Sequence, residues 1–178
     1  FYYCPMAKES WLVAWVGETD HKCAEGAILG QTGPIASAIQ QHVRFDRIHL
    51  LTNYSHERTE RYCQWLEAQC PGSLVDLTDI DLTSPIDYAD IYGKVVAELQ
   101  QCRLPRDDVS LTFHLSPGTP AMAAIWIILA KTRFPAKLIQ TSQQRGLEPV
   151  NFIFDLASDF LPEFLRRGDE RAERLARA

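Results

Sequence analysis

The sequence predicts a Rossmann-like α/β fold, a three-layer sandwich in which helices cover both faces of a mainly parallel, six-stranded sheet. Short apolar segments that suit buried strands alternate with segments whose apolar residues recur at helical spacing. The last two strand segments, 137–141 and 150–156, are joined by residues 142–149, a connection too short for a crossover helix. These two strands are therefore expected to be antiparallel and to form a hairpin at one edge of the sheet.

The earlier strand segments are equally short. Residues 11–16 form a continuous apolar run that ends at Gly17, as in a strand buried on both faces. Residues 74–82 alternate apolar residues with aspartate in part, which indicates a strand nearer an edge with one solvated face. The remaining strands are expected at residues 47–52 and 109–115.

Helices are predicted between these strands, over about residues 34–43, 56–70, 87–99 and 121–132. Pro34 suits the first position of the first helix, Ser55 suits the N-cap of the second, and Asp87 suits the start of the third. The last helix is almost wholly apolar, so we expect it to be buried nearly all round.

Composition and charge narrow the class of protein. The chain has 178 residues, of which 46% are hydrophobic and 23% charged, as is usual for a soluble globular domain. The net charge of −5 argues against a general electrostatic grip on nucleic-acid backbones, so a nucleic-acid ligand would have to be small and held locally. The longest apolar run, residues 122–130, is too short to span a bilayer, and a soluble, cytoplasmic protein is expected.

The cysteines and histidines predict neither a metal site nor catalysis. The five cysteines are odd in number, widely spread and never spaced as C-x-x-C: Cys4, Cys23, Cys63, Cys70 and Cys102. This pattern fits the reduced thiols of a cytosolic protein, each most simply a small buried hydrophobe. His114 lies inside a predicted strand, where a core role is commoner than a role as a base. No metal, no cofactor and no catalytic residue is expected in this domain.

The strongest candidate site is the strand-to-helix turn at residues 114–122. Gly118 lets backbone N–H groups approach a ligand, and Ser116 and Thr119 offer hydroxyls. The helix that begins near Pro120 points the positive end of its dipole outwards, which favours a phosphate or a ribose edge. The alternative is that Thr119 is only an N-cap and Pro120 the first helical residue, an ordinary start of a helix.

Two familiar nucleotide-binding motifs are absent from the sequence. The turn at residues 114–122 is neither a G-x-x-x-x-G-K-[ST] loop nor a G-x-G-x-x-G fingerprint, and each of these would indicate a class of nucleotide. Conventional ATP hydrolysis and dinucleotide binding are therefore disfavoured.

A second candidate is the polar, glycine-bearing segment from Gly17 to Gly33, which follows the first strand. It is longer than the usual connection between a strand and a helix, and over-long loops are commonly functional. Thr19 and Asp20 could hydrogen-bond a sugar, and Lys22 could meet a phosphate. The alternative is a solvated loop that binds nothing.

Two further strand ends carry weaker signals. Asn53 and Tyr54 follow the second strand and could recognise a base by hydrogen bonding and stacking, or could simply form the turn into the next helix. Thr141 lies in the donor-rich segment 140–145, although polar hairpin loops are routine.

Several of these segments together resemble the CARF family, and most closely the amino-terminal sensor domain of the RNA-repair operon regulators, which are sigma-54-dependent transcriptional activators. The resemblance covers roughly residues 10–165. It is carried by the strand end Thr-Asn-Tyr at 52–54, by Leu-Ser-Pro-Gly-Thr-Pro-Ala-Met at 115–122, by Leu-Ile-Gln-Thr-Ser at 138–142 and by Phe-Asp-Leu at 154–156.

This resemblance implies a six-stranded Rossmann-like domain that forms a homodimer and holds an oligonucleotide across the dimer face. The implied ligand is a cyclic oligoadenylate in CRISPR-associated members, and an RNA fragment with processed ends in the RNA-repair regulators. In the activators, an AAA+ ATPase and a helix-turn-helix domain follow, and these domains contact sigma-54 RNA polymerase.

The resemblance also points to particular residues. Ser116, Gly118, Thr119 and Met122 match the family's motif after the fourth strand, and Gly17, Thr19 and Asp20 match the exit of the first. Pro117 and Pro120 depart from the family's pattern, in which many members carry small or hydroxyl residues. The resemblance therefore leaves open whether the ligand is a cyclic oligoadenylate. The expected ligand-binding residues are Gly17, Thr19, Asp20, Asn53, Ser116, Pro117, Gly118, Thr119, Met122 and Thr141.

The combined interpretation is a regulatory sensor domain that binds an RNA-derived or cyclic oligonucleotide and controls a downstream AAA+ ATPase. The alternative is a CRISPR-associated domain that binds cyclic oligoadenylate and either cleaves it or is fused to a nuclease. We expect an extension or tag remnant at residues 1–9, the sensor domain at 10–157 and a linker helix toward a further domain at 158–178.

Overall fold

The computed structural model describes residues 8–42 and 44–151. The elements in chain order are β1 (Glu9–Trp15), α1 (Glu18–Ala24), α2 (Pro34–Gln41), β2 (Arg47–Thr52), α3 (His56–Glu67), β3 (Leu74–Asp79), α4 (Tyr88–Gln101), β4 (Val109–His114), α5 (Pro120–Thr132), β5 (Ala136–Ser142) and β6 (Gly146–Pro149). The expected linker helix at 158–178 lies outside the described residues, as does the expected extension at 1–9 apart from Lys8 and Glu9.

The strands form one six-stranded sheet in the order β3-β2-β1-β4-β5-β6. Strands β1 to β5 are parallel to their neighbours, and β6 pairs antiparallel with β5. This arrangement confirms the predicted fold class and its antiparallel edge hairpin. The chain leaves β1 toward β2 on one side and later returns to β4 on the other, so the strand order reverses between β1 and β4. Ligands in such sheets bind outside the carboxyl ends of the strands at this switch point.

Strand β1 is buried on both faces because each face packs against a separate apolar cluster. Trp11, Val13 and Trp15 face the cluster under α4 and α5. The alternate residues, Leu12 and Ala14, face the cluster under α2 and α3. The unbroken apolar run in the sequence therefore has a direct structural cause.

A long loop was expected after β1. This prediction is wrong for the first part of the segment, because residues 18–24 form α1. Asp20 accepts a hydrogen bond from the N–H of Gly17 at 3.0 Å, which caps the first turn. Arg58 of α3 binds Glu18 at the start of α1 and Glu25 just after its end, at 2.8 and 2.7 Å. A helix of only seven residues is marginal alone, and these tertiary contacts account for its formation.

The hairpin turn is also shorter than expected. Strand β6 lies inside the segment 142–149 that was expected to join the two last strands, so this part of the prediction is wrong. Gly146 has a φ of 71°, and glycine at such a position after a three-residue turn is a common way to close a hairpin. Of the expected strand 150–156, only residues 150 and 151 are described, and neither belongs to a strand.

Helix α5 is less completely buried than its composition predicts. Within this helix, Trp126 and Leu129 are fully buried, but Ile128 is 41% exposed. Ala123, Ala124 and Ile127 are only half-buried, so the outer face of α5 is apolar. None of the helices within residues 8–42 and 44–151 combines the length and the apolar character that crossing a membrane requires.

Candidate ligand-binding site

A cavity of about 380 Å³ lies at the carboxyl ends of β1, β2 and β4. The expected residues that line it are Gly17, Thr19, Asp20, Asn53, Ser116, Pro117, Gly118, Thr119 and Met122. Val16, Glu18, Pro34, Tyr54 and Pro85 complete the lining. The strand exits converge here because parallel strands that flank a switch point open into one crevice. Their role in binding stays a prediction, whereas their common location is a feature of the structure.

Two glycines allow the exits of β1 and β4 to approach each other. A Cβ atom on Gly17 would lie 3.0 Å from the backbone nitrogen of Gly118. Gly118 has a φ of 91°, and a Cβ there would lie 2.7 Å from the sulfur of Met122 and 3.2 Å from the Cβ of Trp15. A side chain at either position would therefore crowd these neighbours, and at Gly118 it would also strain the backbone.

The hydroxyl of Thr119 is used within the protein. It donates to the carbonyl oxygen of Pro85 at 2.6 Å and accepts from the N–H of Met122 at 3.3 Å. Thr119 is therefore the N-cap of α5, as the alternative interpretation proposed. Because its hydrogen is already donated, this hydroxyl can accept one more hydrogen bond but cannot donate to a phosphate oxygen.

The hydroxyl of Ser116 is engaged in the same way. It donates to the carbonyl oxygen of Thr141 at 3.0 Å and accepts from the N–H of Thr141 at 2.7 Å. This pair of bonds joins the exit of β4 to β5. Since neither Ser116 nor Thr119 can donate its hydroxyl hydrogen to an anion, the exit of β4 offers an anion its backbone amides and the dipole at the start of α5.

Asp20 is fully buried, and both of its carboxylate oxygens already have partners. Oδ2 accepts from the N–H of Gly17, and Oδ1 accepts from the N–H of Ile35, each at 3.0 Å. Burial raises the pKa of Asp20 to about 6, against the lowering effect of these two hydrogen bonds. Asp20 thus joins the first turns of α1 and α2 at the edge of the cavity.

Among the described residues, carboxyl groups outnumber cationic groups around the cavity, where Glu18, Glu25 and Asp20 face the single guanidinium of Arg58. Glu18 lines it, and the hydrogen bond from the Arg58 guanidinium lowers the pKa of this carboxyl. Arg58 also binds Glu25 and lies 5.8 Å from the centre of the Tyr54 ring. Neither lysine nor arginine appears among the described residues that line the cavity. Recognition of a phosphate by these lining residues would therefore depend on neutral hydrogen-bond donors and dipoles.

A second cavity of about 360 Å³ adjoins the first, and Thr19 and Pro34 line both. Thr141 lines this second cavity and is the one expected residue that does not line the first. Its hydroxyl lies 3.0 Å from Nε2 of His114, which is fully buried. Burial lowers the pKa of His114 to about 3, so this histidine is neutral near pH 7, in agreement with the expected core role.

Sequence reasoning missed several lining residues. Pro85 comes from the connection between β3 and α4, and the aspartates of residues 74–82 were interpreted only as the solvated face of an edge strand. Pro34 was recognised only as a helix start, although it separates the two cavities. The glycines at 30 and 33, which line the second cavity, were visible as part of the long polar segment.

Comparison with known proteins identifies the family. The family described as RtcR, regulator of RNA terminal phosphate cyclase, matches residues 30–156, which is more than half of the chain. No curated protein matches the sequence. Among solved structures, Enterococcus italicus Csm6 bound to cyclic hexa-2'-fluoro-hexa-dAMP is similar, with a TM-score of 0.64 and 14% identity.

The match to Csm6 covers 79% of this chain and 35% of that chain, so this chain spans about a third of the length of Csm6. At this identity, the likeness shows the fold alone. The family match confirms the resemblance to the CARF-type sensor domains of the RNA-repair regulators. The chain belongs to the RtcR family, the regulators of RNA terminal phosphate cyclase.

Proposed function

We propose that this domain senses an RNA-derived or cyclic oligonucleotide, which binds in the cavity at the exits of β1, β2 and β4. The observation that carries the proposal is the cavity itself, which lies at the switch point of the sheet in a chain of a regulator family. In the full-length protein, the bound ligand controls a downstream AAA+ ATPase that acts on sigma-54 RNA polymerase. Such control requires that the ligand bind one state of the protein more tightly than the other.

The dimensions of the two cavities suit a short oligonucleotide. A cavity of about 380 Å³ is at the lower end of the ~300–1,000 Å³ typical of ligand pockets, so it suits one nucleotide of a longer ligand. The adjoining cavity offers space for the next nucleotide. In this proposal, Tyr54 and Asn53 of the cavity lining contact a base, while Gly118 and the start of α5 contact a phosphate.

The proposal includes a homodimer. The outer face of α5 is apolar, and a second copy of the chain would remove it from water. Because the ligand is proposed to lie across the dimer face, the partner chain would supply the other wall of the site.

The proposal is tested by calorimetric titration with short RNAs that carry 2′,3′-cyclic phosphate, 3′-phosphate or 5′-hydroxyl ends, and with cyclic oligoadenylates. We expect one of these classes to bind, and Gly118→Ala to weaken that binding at least about tenfold, or ~1.4 kcal/mol. The matched control is Gly72→Ala, because Gly72 also has a positive φ, of 90°, but lines neither cavity.

Three results would contradict the proposal. Equal losses in Gly118→Ala and Gly72→Ala would show a general effect of backbone strain. Failure of every ligand class to bind would remove the sensor function. Release of cleavage products at more than one equivalent would favour the alternative ring nuclease.

A further inference from the structure

Three side chains that can bind a metal meet between β2 and α4. His49 lies in the middle of β2, Glu98 lies in the last turn of α4, and Cys102 is the C-cap residue of that helix. Glu98 and Cys102 are four residues apart and therefore project from the same side of the helix. None of the three lines either cavity of the candidate ligand-binding site.

The three ligand atoms converge on one point. Nε2 of His49 lies 3.0 Å from Oε1 of Glu98 and 3.9 Å from Sγ of Cys102, and the sulfur lies 3.7 Å from the same carboxylate oxygen. Tetrahedral zinc with ordinary bond lengths would hold such atoms about 3.4–3.6 Å apart. Shifts of a few tenths of an ångström would therefore place all three at bonding distance from one ion.

The geometry differs from that of a catalytic cysteine. In a nucleophilic relay, the thiol and the carboxylate face opposite nitrogens of the imidazole ring. Here both groups face the same nitrogen, Nε2 of His49. A simple ion pair between His49 and Glu98 would explain two of the side chains, but it would not require the thiol to approach the same atom.

The chemistry of the donors selects the metal. One imidazole nitrogen, one carboxylate oxygen and one thiolate sulfur are the ligand types of zinc, whereas magnesium and calcium prefer oxygen alone. A neutral imidazole with a carboxylate and a thiolate carries two negative charges, which balance a divalent ion. Thr78 of β3 donates to Oε1 of Glu98 at 2.9 Å, the kind of outer hydrogen bond that orients a metal ligand.

Burial is also suitable for an ion. His49 and Glu98 are 5% and 8% exposed, whereas Cys102 is half-buried and gives a path from solvent. We propose that His49, Glu98 and Cys102 bind one zinc ion, with a water molecule in the fourth position. The ion would fasten the C-terminal end of α4 to β2, a site separate from the proposed oligonucleotide cavity.

The test uses purified protein that has been treated with a chelator and then titrated with Zn²⁺ or Co²⁺. We expect one equivalent to bind, and Co²⁺ to give the intense visible bands of tetrahedral coordination together with a thiolate charge-transfer band. Cys102→Ser should abolish the charge-transfer band and weaken Zn²⁺ binding at least tenfold. The matched control is Cys63→Ser, which replaces a buried free thiol on α3 that belongs to no such cluster of described residues.

Thermal unfolding gives a second readout that does not depend on oligonucleotide binding. Zn²⁺ should raise the melting temperature of the wild type and of Cys63→Ser, but not that of Cys102→Ser or Glu98→Gln. Equal Zn²⁺ affinity in Cys102→Ser and the wild type would overturn the proposal. The absence of a charge-transfer band in the wild type would overturn it as well.

Discussion

At the scale of single residues, the hydroxyl of Ser116 holds the exit of β4 to β5. It satisfies both the N–H and the carbonyl of Thr141, at 2.7 and 3.0 Å. An alanine there would leave these two partly buried backbone groups without this partner. The hydroxyl is thus a structural link in the wall between the two cavities, even though it was selected from the sequence as a ligand donor.

Replacement of Ser116 by alanine should lower the free energy of unfolding by about 1–3 kcal/mol, the cost of leaving buried polar groups unpaired. Urea denaturation followed by circular dichroism measures this loss. The control is Ser37→Ala on α2, where the hydroxyl accepts an exposed hydrogen bond from the Gln41 amide. A loss in Ser116→Ala no larger than in Ser37→Ala would show that the link to β5 contributes little.

Asp20 should make the stability of the domain depend on pH. Its folded-state pKa of about 6 lies above the ordinary 3.8, so the folded state takes up a proton more readily than the unfolded state. The contribution of this residue to stability is therefore complete below about pH 4 and is lost as the pH rises through about 6. The loss can reach roughly 3 kcal/mol, at about 1.4 kcal/mol for each pKa unit.

The measurement compares the wild type with Asp20→Asn by urea denaturation between pH 4 and pH 7. The wild-type stability relative to the variant should fall across this range, because asparagine does not ionise. His114, whose lowered pKa has the opposite effect, is present in both proteins and cancels. A difference that stays constant or rises with pH would contradict the raised pKa of Asp20.

At the scale of elements, strands β1 to β5 could be predicted well because their pattern is local. The unbroken apolar run of β1 and the strand-end residues after β1, β2 and β4 are read directly from the sequence. The position of the cavity then follows from the rule for parallel sheets.

The elements that were missed depend on contacts from elsewhere in the chain. Helix α1 is held by Arg58 of α3 and by the contact of Asp20 with Ile35, which no local pattern reveals. Strand β6 has only four residues and ends at Pro149, a residue that strands tolerate only at edges. Pro85 enters the cavity because the hydroxyl of Thr119 binds its carbonyl oxygen, a contact between distant parts of the chain.

At the scale of the whole molecule, the net charge of −5 and the absence of lysine and arginine from the described cavity lining predict weak salt dependence. Steep salt dependence in nucleic-acid binding comes from lysine and arginine that displace counterions from phosphates. If backbone amides hold the ligand, its affinity should change by less than about threefold between ~50 and ~200 mM salt. Titrations at several salt concentrations measure this slope, and a change of tenfold or more would show that basic residues outside the cavity take part.

The proposed dimer also belongs to the scale of the whole molecule, because it depends on a surface that the single chain leaves partly uncovered. On the outer face of α5, Ile128 is 41% exposed beside the half-buried Ala124 and Ile127. Apolar residues at this spacing form a continuous stripe along one side of a helix. A second copy of the chain, related by two-fold symmetry, would place the same stripe against itself.

Ile128→Glu should therefore convert the proposed dimer to a monomer, because a charge would be buried without a partner in the interface. Sedimentation velocity measures the change in mass, and circular dichroism checks that the domain stays folded. The control is Leu74→Glu, since Leu74 is 59% exposed at the start of β3, on the other edge of the sheet. If the ligand spans both chains, Ile128→Glu should also lose oligonucleotide binding while Leu74→Glu keeps it. A dimer that survives Ile128→Glu would place the interface elsewhere, and a monomeric variant with full affinity would show that one chain holds the ligand alone.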